Sequence, residues 1–307
     1  MPSNRIPAFQ DLTGMYEPSA IQQLADERFL VVEDEKDHPF SLVTLHPNGT
    51  VSSTPLRMPM PTRADDFHLL DDLEGTTIDR LGNLYAITSH SRDGDGDEKK
   101  SRNKLVRFRI EHDRIMAPQV VDNLQPALCD AHPVLASAAA VRDVKNDNGF
   151  NIEALALSPD SQQLWIGFRS PLHQQRAIIA SVDNYAAMFD AGEPPAIASA
   201  LITLDLDGHG IRGMSALPQP NGYLVISGPS SRETVQFGLW FWSGRPQDPA
   251  QRVQVDGLPG FEHAEGICPA MLDGQPRIMI VSDDGSRKKN RFARYLLLDP
   301  AQLRIEA

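Results

Sequence analysis

Two columns of short strings recur five times along the chain, and that recurrence restricts the fold more than any other feature. One column is a set of apolar runs: Phe29-Leu30-Val31-Val32, Leu84-Tyr85-Ala86-Ile87, Leu164-Trp165-Ile166-Gly167, Tyr223-Leu224-Val225-Ile226 and Ile278-Met279-Ile280-Val281. Each run ends in a polar cluster: Glu33-Asp34-Glu35, Thr88-Ser89-His90, Phe168-Arg169-Ser170, Ser227-Gly228-Pro229 and Ser282-Asp283-Asp284. The second column lies upstream and reads Glu17-Pro18-Ser19-Ala20-Ile21, Glu74-Gly75-Thr76-Thr77-Ile78, Glu153-Ala154-Leu155-Ala156-Leu157, Gly213-Met214-Ser215-Ala216-Leu217 and Glu265-Gly266-Ile267-Cys268-Pro269. The distance from the head of the second column to the polar cluster is 14 to 17 residues in every unit. Near-equal offsets of this kind mark a repeat architecture.

The units are built of strands. Helical periodicity is scarce, and short apolar runs bounded by turn residues are frequent. Two further strands are expected behind each pair: 41–46 and 50–58, 104–110 and 115–121, 176–182 and 200–206, 238–243 and 252–255. The fifth unit has only 292–298 and ends one strand short, and the segment Arg5 to Leu12 is free to supply the missing strand. Four-stranded units of about 40–60 residues around an axis are blades of a β-propeller. The expected fold is therefore all-β, one domain over residues 1–307, with five blades starting near 17, 74, 153, 213 and 265. Residues 124–148 match no blade and are alanine-rich, so they read as a short helical insertion; six blades is the alternative count.

Composition limits the partners. There are 41 Asp+Glu against 29 Lys+Arg, a net charge of −12, which disfavours nucleic acid or an acidic membrane surface because phosphate binding needs a basic face. No apolar run approaches the roughly 20 residues of a membrane span. Residues 1–7 lack the apolar stretch of a signal peptide, which points to the cytoplasm, or to the periplasm if a signal has been removed. Cys129 and Cys268 are too few for a disulfide framework or a structural zinc site.

Propeller geometry turns the columns into a site. The inner strand of each blade begins at one face, and the antiparallel second strand returns to that face. Glu17, Glu74, Glu153 and Glu265 should therefore converge around one mouth, with Arg212 in place of the acid in blade four. The second strands add Glu33, Asp34, Glu35, His90, Arg92, Arg169, Asp283 and Asp284. Carboxylates gathered around a narrow axis need a cation, a proton or an arginine. Hard oxygen donors suit Ca²⁺, with Mg²⁺ the alternative, and Glu17, Glu74, Glu153, Glu265 and Asp283 are the candidate ligands. Arg92, Arg169 and Arg212 would bind an anion, and His90 and Glu153 are the candidate catalytic groups; His263 also lies beside the mouth. The bland reading is that the glutamates bond backbone N–H groups and fix the blades together.

Other motifs carry less. Asp93-Gly94-Asp95-Gly96-Asp97 opens like a calcium loop, but Glu98 and Lys104 stand at its decisive positions, so a solvated hairpin tip is expected. Asn48-Gly49-Thr50 reads as a tight turn, and Lys288-Lys289 with Arg291 as an exposed loop. There is no nucleophile elbow, phosphate-cradling glycine loop or His-Glu-x-x-His helix.

Several strings resemble a known family. Asn151-Ile152-Glu153-Ala154-Leu155, Gly167-Phe168-Arg169-Ser170-Pro171-Leu172, Gly210-Ile211-Arg212-Gly213 and Ser227-Gly228-Pro229 are similar to motifs of a bacterial family of unknown function, number 3616. Thr88-Ser89-His90-Ser91-Arg92 and Ser282-Asp283-Asp284-Gly285 are similar to its other signatures. The resemblance implies a propeller and no particular activity. More distantly, Glu74, Glu153 and Glu265 resemble the Glu repeat of esterase-like phytases and metal-dependent lactonases, which implies a divalent cation in the channel mouth. Two functions are expected from this: a divalent-metal-assisted hydrolase of a small anionic ester, phosphoester or lactone, or a non-catalytic propeller that binds a ligand or a protein partner.

Overall fold

A computed structural model describes residues 7–34, 38–59, 66–144, 146–231, 236–261 and 263–306. Five antiparallel sheets stand around one axis. Blade one is Pro18–Gln23, Phe29–Glu33, Phe40–Leu45 and Val51–Pro55; blade two is Leu73–Ile78, Leu84–Thr88, Leu105–Glu111 and Arg114–Val121. Blade three runs Asn151–Leu157, Leu164–Ser170, Ala177–Val182 and Ile202–Leu204. Blade four runs Gly210–Leu217, Gly222–Gly228, Gly238–Trp242 and Gln251–Val255. Blade five has Ala264–Leu272, Gln275–Ser282 and Arg294–Leu298 from the carboxyl half. Its fourth strand is Gln10–Asp11 from the amino end, paired as Gln10↔Tyr295 and Asp11↔Arg294. The ring thus closes as its short fifth unit required, although Arg5 and Ile6 lie outside the described residues.

Each inner strand packs against the next, and the last returns to the first. Apolar residues fill the wedges between blades as five separate clusters: Leu30 with Phe108, Tyr85 with Leu155, Ile179 with Val225, Ile226 with Ile280, and Val31 with Met279. Because a blade has a neighbour on both faces, the second strands of blades one, two and four are buried along their whole length, which explains their unbroken apolar runs.

Two elements escaped the sequence reading. Leu303–Ile305 pairs with Gln251–Val255 and covers the outer edge of blade four, and Tyr185–Asp190 forms a helix outside blade three. The insertion is helical as expected, with helices Leu124–Ala131 and Pro133–Ala139 whose Leu124, Leu128 and Leu135 are buried against blades two and three.

Candidate functional site at the propeller hub

All five inner strands carry an irregularity at the same place. The register against the second strand slips between Pro18 and Ala20, Leu73 and Gly75, Ile152 and Ala154, Ile211 and Gly213, and Ala264 and Gly266. The skipped residues are Ser19, Glu74, Glu153, Arg212 and Glu265. A bulge re-aims one side chain, and here the five bulges turn five side chains towards the axis. Blade one is a correction to the sequence alignment: Ser19, not Glu17, is the counterpart of the glutamates. Glu17 stands one tier higher, level with Asp72, Asn151, Gly210 and His263, each two residues ahead of its bulge.

Arg212 sits between the carboxylates of the two flanking blades. Its Nη1 lies 3.0 Å from Glu153 Oε1 and 2.9 Å from Oε2, and its Nη2 pairs with Glu265 Oε1. Glu153 Oε1 also receives Asn151 Nδ2 at 2.9 Å and Arg169 Nη1 at 3.2 Å, while Arg169 Nε donates to the Pro229 carbonyl at 2.9 Å. Glu153, Arg212 and Glu265 are 3%, 8% and 4% exposed. Burial, helped by the nearby Arg169 charge, pulls the Arg212 guanidinium below its ordinary pKa, against the opposing pull of Glu153, Glu74 and Asp283.

Above this network opens a cavity of about 380 Å³, and below it the axis narrows to a gap of about 10 Å³. Nine carboxyl groups and five guanidinium groups line the cavity. The acids are not alike. Glu74 makes no hydrogen bond or ion pair among the described residues, and burial, then Glu153, Asp72 and Asp34, drive its carboxyl well above the usual range. Asp34 stays open to solvent on the mouth side, yet burial against the wall, then Asp72, Asp71 and Glu17, push it up to about 7 despite Arg102. Burial likewise raises Asp283. Asp72 pairs with Arg102 Nη1 at 2.9 Å and accepts from the hydroxyls of Ser89 and Ser91.

The four strings that carried the family resemblance meet at one carboxylate: Asn151, Arg169, Arg212 and Pro229 all belong to the network around Glu153. The family described as a protein of unknown function (DUF3616) matches residues 138–299, more than half of the chain. The chain belongs to the DUF3616 family. None of the curated proteins matches this DUF3616 chain. Among solved structures, a GH43 beta 1,3-galactosidase with galactodeoxynojirimycin is 10% identical, covers 97% of this chain and 98% of its own, and has a TM-score of 0.52. A putative oxidoreductase (glucose dehydrogenase) from Thermus thermophilus is 14% identical over 95% of this chain and 100% of its own, TM-score 0.48. The Malassezia sympodialis allergen Mala s 1 is 12% identical over 97% of this chain and 83% of its own, TM-score 0.45. This DUF3616 protein has the propeller fold, with sugar dehydrogenases and glycosidases as structural neighbours.

The expected site residues divide. Glu17, Glu74, Glu153, Glu265, Asp34, Asp283, Arg92, Arg169 and Arg212 line the cavity, as the convergence argument required. His90 does not. Its ring is buried, Nδ1 lies 2.9 Å from the Thr88 carbonyl, and burial lowers it to about 4, so it stands neutral and away from the wall. Glu33 turns inward to the Tyr16 N–H and Asp284 pairs with Arg294, while Glu35 lies outside the described residues. The donor set does not fit a divalent ion: Arg212 occupies Glu153 and Glu265, and among the described residues no three His, Cys, Asp or Glu are grouped to share a metal. The Asp93 loop is a turn, its carboxylate accepting the N–H groups of Asp95 and Asp97. Arg92 is held by the Ala139 carbonyl and Glu98, which ties the insertion to the mouth, and Arg142 and Asp143 of the insertion complete the wall.

A pH dependence follows. Acids with raised folded-state pKa bind protons that the unfolded chain has released, so unfolding free energy falls as pH rises through that interval. For Glu74, Asp34 and Asp283 it begins near the ordinary carboxyl value of about 4 and passes through Asp34's value of about 7. The melting temperature is expected to be higher at pH 5.5 than at pH 8 by about 2–4 °C, with a smaller gap in Asp34→Asn. A calorimetric series in which stability rose across that range would refute the assignment.

Proposed function

We propose that the hub cavity binds a small hydrophilic molecule and hydrolyses it by acid–base chemistry between two carboxyl groups. The observation that carries this reading is the contrast within one cavity between Glu74, half-buried with no hydrogen bond or ion pair among the described residues, and Glu153, engaged by Arg169 and Arg212. Environments that separate the protonation of neighbouring acids are how one site supplies a proton donor and a proton acceptor together. Glu74, whose carboxyl is driven well above the usual range, is the group that delivers a proton to the leaving oxygen as the scissile bond breaks. Asp283, across the cavity and lifted towards neutrality, takes a proton from the attacking water, whose oxygen forms the new bond. The products are an alcohol and the hydrated acyl or glycosyl fragment, and both carboxyl groups then exchange one proton with solvent.

The volume lies in the usual range for small-ligand pockets, roughly 300–1,000 Å³. The excess of carboxyl groups over guanidinium groups favours a neutral or cationic substrate over the anionic one expected from the sequence. An uncharged glycoside is the first class to try, in keeping with the glycosidase among the structural neighbours. The test is turnover of chromogenic glycosides and carboxylic esters between pH 5 and 9. Glu74→Gln is expected to lower kcat about 10²- to 10⁴-fold with little change in KM. Unchanged turnover in this variant, or none in the parent chain, would remove the acid–base roles.

One observation favours a second reading, a propeller that binds without chemistry: the Glu153–Arg212–Glu265 network closes the axis as a structural plug. Ligand binding with no turnover across the same panel is its signature.

A further inference from the structure

The guanidinium groups of the cavity are all engaged by the protein itself. Arg212 spans Glu153 and Glu265, Arg169 joins Glu153 to the Pro229 carbonyl, and Arg102 pairs with Asp71 and Asp72. Arg92 is held by the Ala139 carbonyl and Glu98, and Arg142 reaches the Asp95 carbonyl and Asp97. On the side of blades one and two the balance is reversed. The Asp34 carboxylate has no hydrogen bond or ion pair among the described residues. Asp72 takes all its donors on Oδ2 (Arg102, Ser89 and Ser91), which leaves Oδ1 without one. Asp34, Asp72 and Glu74 all line the same cavity.

A second observation is independent of the acids. Asn151, 7% exposed and part of the same wall, spends its Nδ2 on Glu153 and leaves its buried Oδ1 with no partner. The Ile152 N–H donates to the Ser89 carbonyl at 2.8 Å, which sets Asn151 beside blade two. On this wall the Asp34 carboxylate, Asp72 Oδ1 and Asn151 Oδ1 are therefore acceptors without a donor among the described residues. A primary ammonium group carries three donors, a positive charge and no acceptor.

We propose that the Asp34–Asp72 side of the cavity is a subsite for an ammonium group, so that the ligand of this propeller is a small hydrophilic amine, such as an amino sugar or an aliphatic diamine. The proposal rests on the reading of the cavity as a small-molecule site and adds the class of molecule. A bare divalent ion is the less suitable occupant, because no three acids are grouped to coordinate one among the described residues.

The test is calorimetric titration of the full chain at pH 7.5 with glucosamine, 1,4-diaminobutane, glucose, sodium phosphate and calcium chloride. Both amines are expected to bind with dissociation constants on the order of 1 mM or below, glucose at least about 10-fold more weakly than glucosamine, and phosphate not at all. Asp34→Asn and Asp34→Ala, at a solvent-open position, are expected to weaken amine binding at least about 10-fold. The proposal is overturned if glucose equals glucosamine, if either Asp34 variant binds amines as the parent does, or if calcium binds at the same residues and displaces the amine. Its failure is separable from that of the acid–base reading: amine preference with turnover insensitive to Glu74→Gln sinks only the latter, and Glu74-dependent turnover without amine preference sinks only this one.

Discussion

Arg212→Met is expected to destabilise the folded chain by about 3–5 kcal/mol, a large part of the 5–15 kcal/mol that typically holds a domain together. The side chain is similar in length and apolar, so the loss is not one of volume. What disappears is the cation shared by Glu153 and Glu265, which are 3% and 4% exposed and would face each other across the axis without it. Arg169 would still hold one oxygen of Glu153, but Glu265 would lose the ion pair that Arg212 Nη2 provides. Removing the charges together separates this from generic damage: the triple variant Arg212→Met, Glu153→Gln, Glu265→Gln should recover most of the loss, because a buried ion network is costly to break and inexpensive to replace as a unit. Urea unfolding of the parent, single and triple variants is the measurement. A single variant within about 1 kcal/mol of the parent would show that the network contributes little.

The network also answers a question that the sequence poses. Acids around a narrow axis need a cation, a proton or an arginine. The hub uses the arginine for Glu153 and Glu265, while the carboxyl of Glu74, without an ion pair among the described residues, is driven well above the usual range. The ring of glutamates is thus both a structural plug and a floor for the cavity. That is why the reading of the glutamates as structural packing and the reading of them as a site each describe part of the molecule.

The blade count, the inner and second strands and the closing amino-terminal strand were legible because a period of fixed offset survives in the sequence whenever each blade must bury the same two faces. The register at the hub was not. A bulge adds one residue to a strand without changing its apolar pattern, so Glu17, the acid ahead of the strand, aligned with Glu74, although Ser19 holds that place. With the bulge located, the tier two residues upstream becomes readable, and Asp72 and Asn151 stand in it. Arg102 had no such signal. It enters from the connection between the second and third strands of blade two, where no periodicity operates, and only its ion pairs with Asp71 and Asp72 reveal its place. His90 failed for a related reason. It ends the polar cluster that returns to the mouth, but its backbone is left-handed, at φ 54°, and its ring is buried away from the cavity wall.

Gly213→Ala is expected to cost about 3 kcal/mol or more, against the gain of about 0.4–1 kcal/mol that a glycine-to-alanine change ordinarily brings by restricting the unfolded chain. The residue follows the bulge of blade four, and a methyl group there would run directly into the Glu265 carbonyl oxygen of blade five. Backbone opposed to backbone has no rotamer to yield, so the two inner strands must separate. Gly75 and Gly266 stand at the same position in their blades but leave more room, with the nearest atoms of the neighbouring blade, Leu155 N and Ala20 Cα, each 2.9 Å from the added carbon. Their alanine variants are expected to lose about 1–2 kcal/mol. Blades one and three already carry Ala20 and Ala154 there, so the ring is asymmetric and closest where Arg212 must reach both neighbours. Separating blades four and five would lengthen the Arg212–Glu265 pair first, so Gly213→Ala combined with Arg212→Met should cost less than the sum of the two. Equal losses at all three glycines, or strict additivity in the double variant, would show that the close approach of these strands does not set the geometry of the hub.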